Sequence, residues 1–453
     1  MVVISWYISF LSLSIFYYFF RVKKAINFTS DYFFILIWSQ IFIYIHIAPT
    51  LTMYNIDFML KQYYLFIQIF SVLLFEIPLF IIYLKLKNKF IIFSKMSRMQ
   101  IKVQPFKFII FFTIGVLIIF FILNIFQDYP LWFKRIGHKG LANLYLSLPP
   151  SVWALFRTFE KLGVLILSIN LITFFYLKNP FTKTLSFLYV LVFGSIITIY
   201  IMINSRLESA ILVFVIFGVY FYQIRNRKNF TLINKMKKNH IKWLGILLIY
   251  LFTVVINSRT EYYRTKTVSL KSLNPISLIN DDQKGTNQWL MRLNGIDLMA
   301  QITPHAFRRG FAHGEAWDNF FLFIYGPILF PEKVKKLKEL RQTTAKGFLI
   351  KKYLKYDEDD YYSSILTDSY GNYGLLGFIF CAIIIAPLIF LASTFIKNPQ
   401  KGSQLIIGIY IMINLLRFEH ELGSLLSDLI KFSVILIPLL FINPIQVLRI
   451  RSY

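Results

Sequence analysis

Apolar runs long enough to cross a lipid bilayer recur along this chain, and they restrict it to a membrane-spanning fold. The chain has 453 residues, of which 57% are hydrophobic. An α-helix satisfies its own backbone hydrogen bonds in hydrocarbon, so such runs predict spanning helices. We predict an all-α polytopic membrane protein with about eleven spans. These spans lie near residues 3–20, 32–48, 63–84, 108–126, 162–177, 185–203, 209–224, 243–257, 374–396, 404–416 and 429–442.

The predicted spans divide the chain into three parts. Residues 1–257 form an N-terminal transmembrane bundle of about eight helices. Residues 258–373 form one large external loop domain, which precedes the last spans. Residues 374–453 contain about three C-terminal helices and a short cytoplasmic tail.

Basic residues cluster in alternate connections between the spans, which predicts the orientation of the chain. The positive-inside rule places such connections in the cytoplasm, so the N-terminus lies outside and the C-terminus inside. The long loop and Arg417 then share the external side. The net charge is +27, and its position beside apolar runs indicates contact with anionic lipid and not with nucleic acid. The basic connections are Arg21–Lys24, Lys85–Lys107, Arg225–Lys242, Lys397–Lys401 and the tail with Arg449 and Arg451.

Several kinds of chemistry are disfavoured because their sequence signatures are absent. The single cysteine, Cys381, excludes an intramolecular disulfide. No phosphate-binding loop or nucleophile elbow occurs, and His420-Glu421 does not continue into a zinc-protease motif. We predict no cofactor and assign no metal ligand, although Glu419, His420 and Glu421 leave binding of a divalent ion open.

The stretch from Arg417 to Glu421 places several ionisable residues between two apolar runs. Such residues near membrane depth cost several kcal/mol unless they are paired, so they indicate a functional site. If the stretch is helical, one continuous face carries a permanent cation, two carboxylates and an imidazole. We expect this face to support chemistry at a membrane surface. Its residues are Arg417, His420, Glu421, Ser424 and Asp428.

Other charged residues join this candidate site if the predicted orientation is right. Arg206 and Arg259 lie in Asn-Ser-Arg sequences where two spans reach the external side, and Arg264 follows closely. Together with Arg417 they suggest a pocket for an anionic head group, because a guanidinium binds phosphate in a bidentate manner. The alternative is that Arg206 merely extends to the membrane surface and pairs with Glu208.

The long loop and the third span each add a further candidate. The loop sequence Arg308-Arg309-Gly310-Phe311-Ala312-His313-Gly314-Glu315 combines charged groups with glycines, which permit close approach of a ligand. A loop with no role is equally compatible with this pattern. Glu76 lies inside the third apolar run and needs a partner, which is either structural or catalytic.

Four pieces, in order, resemble the Wzy-type oligosaccharide repeat-unit polymerases of bacterial O-antigen, enterobacterial common antigen and capsule pathways. Asn204-Ser205-Arg206 is similar to the family's arginine hairpin, and Phe320–Lys333 to a stretch of its large external loop. The segment Asp368–Gly377 is similar to its small-residue entry into a late span, and Arg417 with the acidic residues behind it to its last external turn. The chain departs from the family where Gly326-Pro327 replaces an expected arginine.

The resemblance implies glycosyl transfer at the outer face of the bacterial cytoplasmic (inner) membrane. A hydroxyl of one undecaprenyl-pyrophosphate-linked oligosaccharide attacks the anomeric carbon of another, and lipid pyrophosphate leaves. Arg206 and Arg417 would hold the pyrophosphate, and Glu421 or His420 would act as the base. A flippase and a chain-length regulator are the implied protein partners. The implied substrate-binding residues are Arg259, Arg264, Arg308, Arg309, His313, Glu315 and Glu419.

Two other functions fit the same sequence features. A ligase that transfers finished polymer to an acceptor would have similar topology and arginines. A flippase or transporter of the lipid-linked units would place charges along a central pathway through the bilayer. The charges here gather at one face and in one loop, which favours the polymerase.

Overall fold

A computed structural model describes the two ends of the chain and part of the predicted loop domain. The described stretches are residues 1–26, 31–91, 98–104, 293–318, 344–355, 363–397, 401–417, 421–441 and 445–450, with isolated positions between them. The predicted spans from 108–126 to 243–257 therefore fall outside the described residues, as do Arg206, Arg259 and Arg264.

Four helices in the described residues are long and apolar enough to cross a membrane. They are Val2–Val22, Tyr32–Asn55, Phe58–Lys89 and Leu375–Lys397. They confirm the first three predicted spans and the span near 374–396, and with them the prediction of a helical membrane protein. The total of about eleven spans stays a prediction.

The first three spans contain most of the N-terminal helices. The first is α1 (Val2–Tyr17) with a π-helical turn, Tyr18–Val22. The second joins α2 (Tyr32–Ile41), a π-helical turn at Phe42–Ile47, α3 (Ala48–Thr52) and a 3-10 turn at Met53–Asn55. The third joins α4 (Phe58–Ser71), a π-helical turn at Val72–Glu76 and α5 (Ile77–Ile91).

Two of these π-helical turns end two residues before a proline. Pro49 follows the turn at Phe42–Ile47, and Pro78 follows the turn at Val72–Glu76. A proline lacks the amide donor and its ring clashes with the carbonyl one turn earlier, so the preceding turn widens. The sequence thus determines where these two spans change the direction of their side chains.

The C-terminal region contains three helices that pack against the N-terminal spans and each other. They are α9 (Leu375–Lys397), α10 (Gly402–Leu415) and α11 (Leu422–Phe441). Helix α9 packs on α5 and on α10. Gly408 permits the close approach of α10, because a Cβ there would lie 3.0 Å from the Ala392 carbonyl oxygen of α9. Helix α10 agrees with the predicted span 404–416, whereas α11 begins earlier than the predicted residue 429.

The described part of the predicted loop domain packs on one end of the bundle. It contains α6 (Asp297–Arg309), a 3-10 turn at Glu315–Trp317, α7 (Ala345–Leu349) continued by a π-helical turn at Ile350–Leu354, and α8 (Thr367–Tyr373). Helix α6 packs on α4 and α8, and α8 packs on α9 and α11. The amide of Gly295 donates to the Tyr44 carbonyl oxygen at 2.9 Å. This end, where α6 meets the spans, is called the α6 end below.

A two-stranded antiparallel ribbon is the one exception to the all-α prediction among the described residues. Strand β1 (Arg98–Val103) pairs with β2 (Ile445–Ile450), with Arg98 opposite Ile450 and Val103 opposite Ile445. The ribbon joins the connection that follows the third span to the C-terminal tail. Both segments were predicted on the cytoplasmic side from their charge, and their pairing agrees with a shared side.

Candidate functional site

The prediction of one continuous helical face from Arg417 to Asp428 is wrong, because one helix ends before Arg417 and another begins after Glu421. Helix α10 ends at Leu415, and the Arg417 amide donates to the Asn414 carbonyl oxygen at 3.2 Å. Helix α11 begins at Leu422, and the Glu421 carbonyl accepts the first bond of that helix from Leu425 at 3.0 Å. Residues 418–420, including Glu419 and His420, lie outside the described residues.

Arg417 is buried at this junction. The residue is 2% exposed, and its Nη1 lies 4.0 Å from Oδ2 of Asp428 on α11. The preceding carbonyl, of Leu416, accepts a hydrogen bond from Gln40 Nε2 of α2 at 3.1 Å. The guanidinium is therefore held between the end of α10 and the first part of α11. A buried charge needs such an opposite charge, because burial removes its hydration.

Glu421 lies at the start of α11 and is 5% exposed. Two hydroxyl groups donate to its carboxylate. Ser363 Oγ lies 3.1 Å from Oε1, and Ser424 Oγ lies 2.9 Å from Oε2. Two donors on opposite oxygens fix the orientation of the carboxyl group. Glu421 is thus a positioned carboxylate at the same junction as Arg417.

Asp368 is a second carboxylate at this junction, and the sequence analysis did not assign it to the site. It lies in α8 and is fully buried. Oδ1 accepts the amide of Leu422 at 3.1 Å, and Oδ2 accepts the amide of Gly423 at 2.6 Å. Oδ2 also accepts the indole N–H of Trp317 at 2.8 Å. Asp368 therefore caps α11 from a distant part of the chain, where a negative charge is favourable.

The surroundings of Asp368 change its acidity. Burial raises its pKa from the ordinary range to about 7, and the nearby charge of Glu421 adds to this effect. The hydrogen bonds from Gly423, Trp317 and Leu422 lower the pKa in the opposite direction. Loss of hydration is the larger effect, because a fully buried carboxylate cannot be solvated by water. Asp368 therefore keeps its proton to a higher pH than an exposed aspartate does.

The predicted loop residues His313 and Glu315 lie in a turn that α8 holds in place. Asn372 Oδ1 accepts the amides of Gly314 and Ala316 at 3.1 and 3.2 Å. The His313 amide donates to the Asn372 carbonyl oxygen at 2.8 Å. Gly314 has φ +101°, which a residue with a side chain rarely adopts. Because Trp317 ends this turn and bonds Asp368, the loop sequence is connected to the junction site.

The charged loop residues themselves are exposed. Glu315 accepts a hydrogen bond from Lys352 Nζ at 2.5 Å. Arg308 and Arg309 lie in the last turn of α6, where positive charge is favourable without any ligand. The structure thus brings together Glu421, Asp368 and Trp317, with the His313 turn attached, and places Arg417 beside Asp428 at the end of α10. Arg308 and Arg309 stay at the surface.

Among the residues that the structure describes, no group of three or more histidine, cysteine, aspartate or glutamate side chains is arranged to hold a metal ion. Asp368 and Glu421 form only a pair, and both are occupied by hydrogen-bond donors. The arrangement provides one buried cation, one positioned carboxylate and one capping carboxylate. These groups can stabilise an anion and accept a proton.

The fold and the site define a helical membrane protein with a buried arginine and two buried carboxylates where α10 and α11 meet. Comparisons with protein-family models, with curated proteins and with solved structures found no match.

Proposed function

We propose that this protein joins undecaprenyl-pyrophosphate-linked oligosaccharide repeat units at the outer face of the bacterial cytoplasmic membrane. The observation that supports this most strongly is the junction site, which places buried Arg417 and hydroxyl-bound Glu421 where two helices meet. Glycosyl transfer from a pyrophosphate needs one group that stabilises the leaving anion and another that accepts a proton. The junction site contains a residue of each kind.

The arrangement of helix ends supports the idea that the proposed site residues share one side. The end of the second span contacts the loop region through Thr52, whose Oγ1 accepts Asn294 Nδ2 at 2.8 Å. The start of α11 contacts the same region through Asp368. The loop region therefore bridges those ends of the bundle that the charge pattern assigns to the outside.

In the proposed reaction, the acceptor hydroxyl forms the new bond to the anomeric carbon while the bond to the pyrophosphate oxygen breaks. Glu421 takes the hydroxyl proton, and Arg417, with Arg206, binds the lipid pyrophosphate that leaves. Asp368 is a positioning residue, because it fixes the first turn of α11 and so the residue before it. Shielding of both groups from solvent suits this reaction, since water would compete as the acceptor.

The remaining predicted residues are assigned to substrate binding in this proposal. Their charges and hydrogen-bonding groups suit sugar hydroxyls and the phosphates of the lipid carrier. They are Arg259, Arg264, Arg308, Arg309, His313, Glu315, Glu419 and His420, and His420 is the alternative base.

The proposal is tested by the lipid-linked glycans of cells that lack the protein. Deletion should abolish the ladder of long glycans and cause single repeat units to accumulate on the outer side. The wild-type chain should restore the ladder, whereas Glu421→Gln, which keeps the size of the side chain but cannot act as the base, should not. Asp57→Asn, an exposed site at the turn between the second and third spans, is the matched control and should restore it.

Other outcomes identify the competing functions. Single units that accumulate on the cytoplasmic side would show a flippase. Full-length polymer that stays on the lipid carrier would show a ligase. A normal ladder from the Glu421→Gln protein would refute the role of Glu421.

A further inference from the structure

Three polar side chains meet in the interior of the N-terminal bundle, away from the junction site. They are Ser12, His46 and Glu76, which lie near the middle of the first, second and third spans. His46 Nε2 contacts Glu76 Oε1, and Ser12 Oγ donates to Glu76 Oε2 at 2.5 Å. His46 is 0% exposed and Glu76 is 1% exposed. The predicted need of Glu76 for a partner is thus met by a histidine and a serine.

Both ionisable residues lie on π-helical turns. His46 is in the turn Phe42–Ile47, and Glu76 ends the turn Val72–Glu76. A π-helical turn inserts one extra residue and redirects the side chains around it, and such turns occur frequently at functional sites. The two turns face each other, so the irregular backbone in each span serves the same contact.

Further polar side chains lie between this pair and the α6 end, and they contact backbone carbonyl groups beside His46. Thr50 Oγ1 donates to the His46 carbonyl oxygen at 2.6 Å and lies 2.6 Å from Ser5 Oγ. Ser5 Oγ also donates to Gln68 Oε1 at 2.6 Å, and Gln68 Nε2 donates to the Ile45 carbonyl oxygen at 3.0 Å. These residues lie on all three spans, so the network passes through the centre of the bundle.

A second group of hydrogen-bonded, buried side chains lies between this network and the α6 end. Asn294 Nδ2 donates to Thr52 Oγ1 and to Tyr64 Oη, each at 2.8 Å. Tyr64 Oη in turn donates to Asp297 Oδ1. Asp297 is 4% exposed, and burial raises its pKa. Thr52 and Tyr64 lie close in sequence to Thr50 and Gln68, so the two groups adjoin along the same spans.

Helix packing alone does not account for this arrangement. Serine, threonine and glutamine are sufficient to hold helices together in a membrane. A histidine and a glutamate are far more costly there, and such residues are typical of proton relays and ion pathways. The pair is electrically neutral when it shares one proton, and it carries a net charge when that proton is lost or a second is gained. Its charge therefore depends on proton binding.

We propose that His46 and Glu76, with Ser12, form a proton-binding site inside the membrane that exchanges its proton through the polar network toward the α6 end. His46 Nδ1 is buried and has no hydrogen-bond partner among the described residues, so it is the atom left to exchange a proton. A proton bound at Nδ1 gives an imidazolium, which passes its Nε2 proton to Glu76 Oε1. Neutral imidazole and a carboxylic acid result, and charge balances.

Within the described residues, no other titratable side chain is hydrogen-bonded to His46 or Glu76. A change in the charge of this pair therefore comes from proton binding by the pair itself. The phenyl ring of Phe42 lies 5.8 Å from the His46 ring, and Ser12 donates to the carboxylate oxygen of Glu76 that His46 does not contact. Other titratable groups lie elsewhere on the elements that pack against the two turns. They are Tyr7, Tyr17, Tyr32, Lys61, Tyr63, Tyr64, Tyr83, Lys85, Lys87, Lys89, Cys381 and Lys397.

The proposal does not depend on the glycan function, and it is tested on the full-length protein in lipid by infrared difference spectroscopy. A change from mildly acidic to mildly alkaline buffer should convert a carboxylic acid band into a carboxylate band. Glu76→Gln should lose this band change. His46→Gln should alter the pH at which it occurs, and Ser12→Ala should shift the position of the band without loss.

Exchange into heavy water tests the connection to the α6 end. The Glu76 band should shift on transfer of the wild-type protein to heavy water, and Gln68→Leu should slow this shift on the order of tenfold. Thermal unfolding of each variant checks that the fold is intact. A band that no pH change affects, or an exchange rate that Gln68→Leu leaves unchanged, would overturn the proposal, whatever the glycan assays show.

Discussion

The junction site and the His46–Glu76 cluster both bury charge, but they satisfy it in different ways. At the junction, two helices end and begin, so free backbone amides are available to a carboxylate, and Asp368 binds two of them. In the N-terminal bundle the helices continue through the cluster, so side chains alone supply the partners. At the junction, a charged side chain is therefore stabilised partly by the backbone. Inside the continuous spans, its stabilisation depends entirely on the partner side chains.

The largest change in stability is expected when one side chain of the His46–Glu76 cluster is replaced. Glu76→Leu leaves His46 buried without its partner and should lower the free energy of unfolding by about 3–5 kcal/mol. Glu76→Gln keeps a hydrogen-bonding side chain and should cost only about 1 kcal/mol. Thermal unfolding of the purified protein measures both. Leu73→Ala, at a residue 48% exposed from the bundle, is the control. Equal effects of Leu and Gln would show that the hydrogen bonding that Gln retains contributes nothing to stability.

Activity should depend more on the junction site than on the bundle cluster, because Arg417 is proposed to bind the leaving group. Arg417→Ala should lower the rate of polymerisation by about 10²–10³-fold, as for loss of one preorganised group that stabilises charge. Arg417→Lys keeps the charge but loses the planar fork, so it should restore only part of the rate. The glycan ladder and the amount of protein in the membrane are measured together. Arg21→Ala, exposed at the end of the first span, is the control. Normal chain lengths in Arg417→Ala would refute the assignment.

The sequence predicted features that depend on neighbouring residues, but it did not predict contacts between distant residues. Apolar runs located the first three spans and the span near residue 374, because hydrophobicity over one helix is a local property. The need of Glu76 for a partner also followed, because its charge lies within an apolar run. The identity of that partner did not follow, since His46 lies on another helix and the contact is set by packing.

The same limit explains the errors at the junction. A helical face was predicted through Arg417 and Glu421, but the break is stabilised by Asp368, which is 54 residues before Leu422 in the chain. A cap from so far away leaves no pattern in the sequence around α11. The segment Asp368–Gly377 was noted as an entry into a span, and an aspartate among small residues there was the available signal. The pairing of β1 with β2 is equally long-range, and so the ribbon was not predicted.

The burial of Asp368 predicts an effect of pH on the stability of the folded protein. The pKa of Asp368 is raised to about 7 in the folded protein, whereas an unfolded aspartate titrates near about 3.9. Between these values the folded state holds a proton that the unfolded state has lost. This group should therefore make the free energy of unfolding fall by up to about 1.4 kcal/mol per pH unit as pH rises toward 7, with no further change above it.

Asp368→Asn tests this prediction, since it removes the titrating group and keeps the size of the side chain. The midpoint of thermal unfolding should lose the decrease between about pH 4 and pH 7. Asp57→Asn, at an exposed aspartate, should leave that decrease in place. An unchanged decrease in Asp368→Asn would show that another group causes it.

The smallest effects are expected from the two hydroxyl groups that hold Glu421, because each supplies one of two donors. Ser363 reaches Oε1 from before α8, and Ser424 reaches Oε2 from the first turn of α11. Ser363→Ala and Ser424→Ala should each lower the polymerisation rate by at most about tenfold, since one net hydrogen bond contributes about 1 kcal/mol. Ser433→Ala, an exposed serine further along α11, should have no effect. If Glu421 is positioned by both hydroxyls together, the double variant should lose more than the product of the single losses. A double variant no slower than either single one would mean that the backbone at the helix junction, and not these side chains, holds the carboxylate in place.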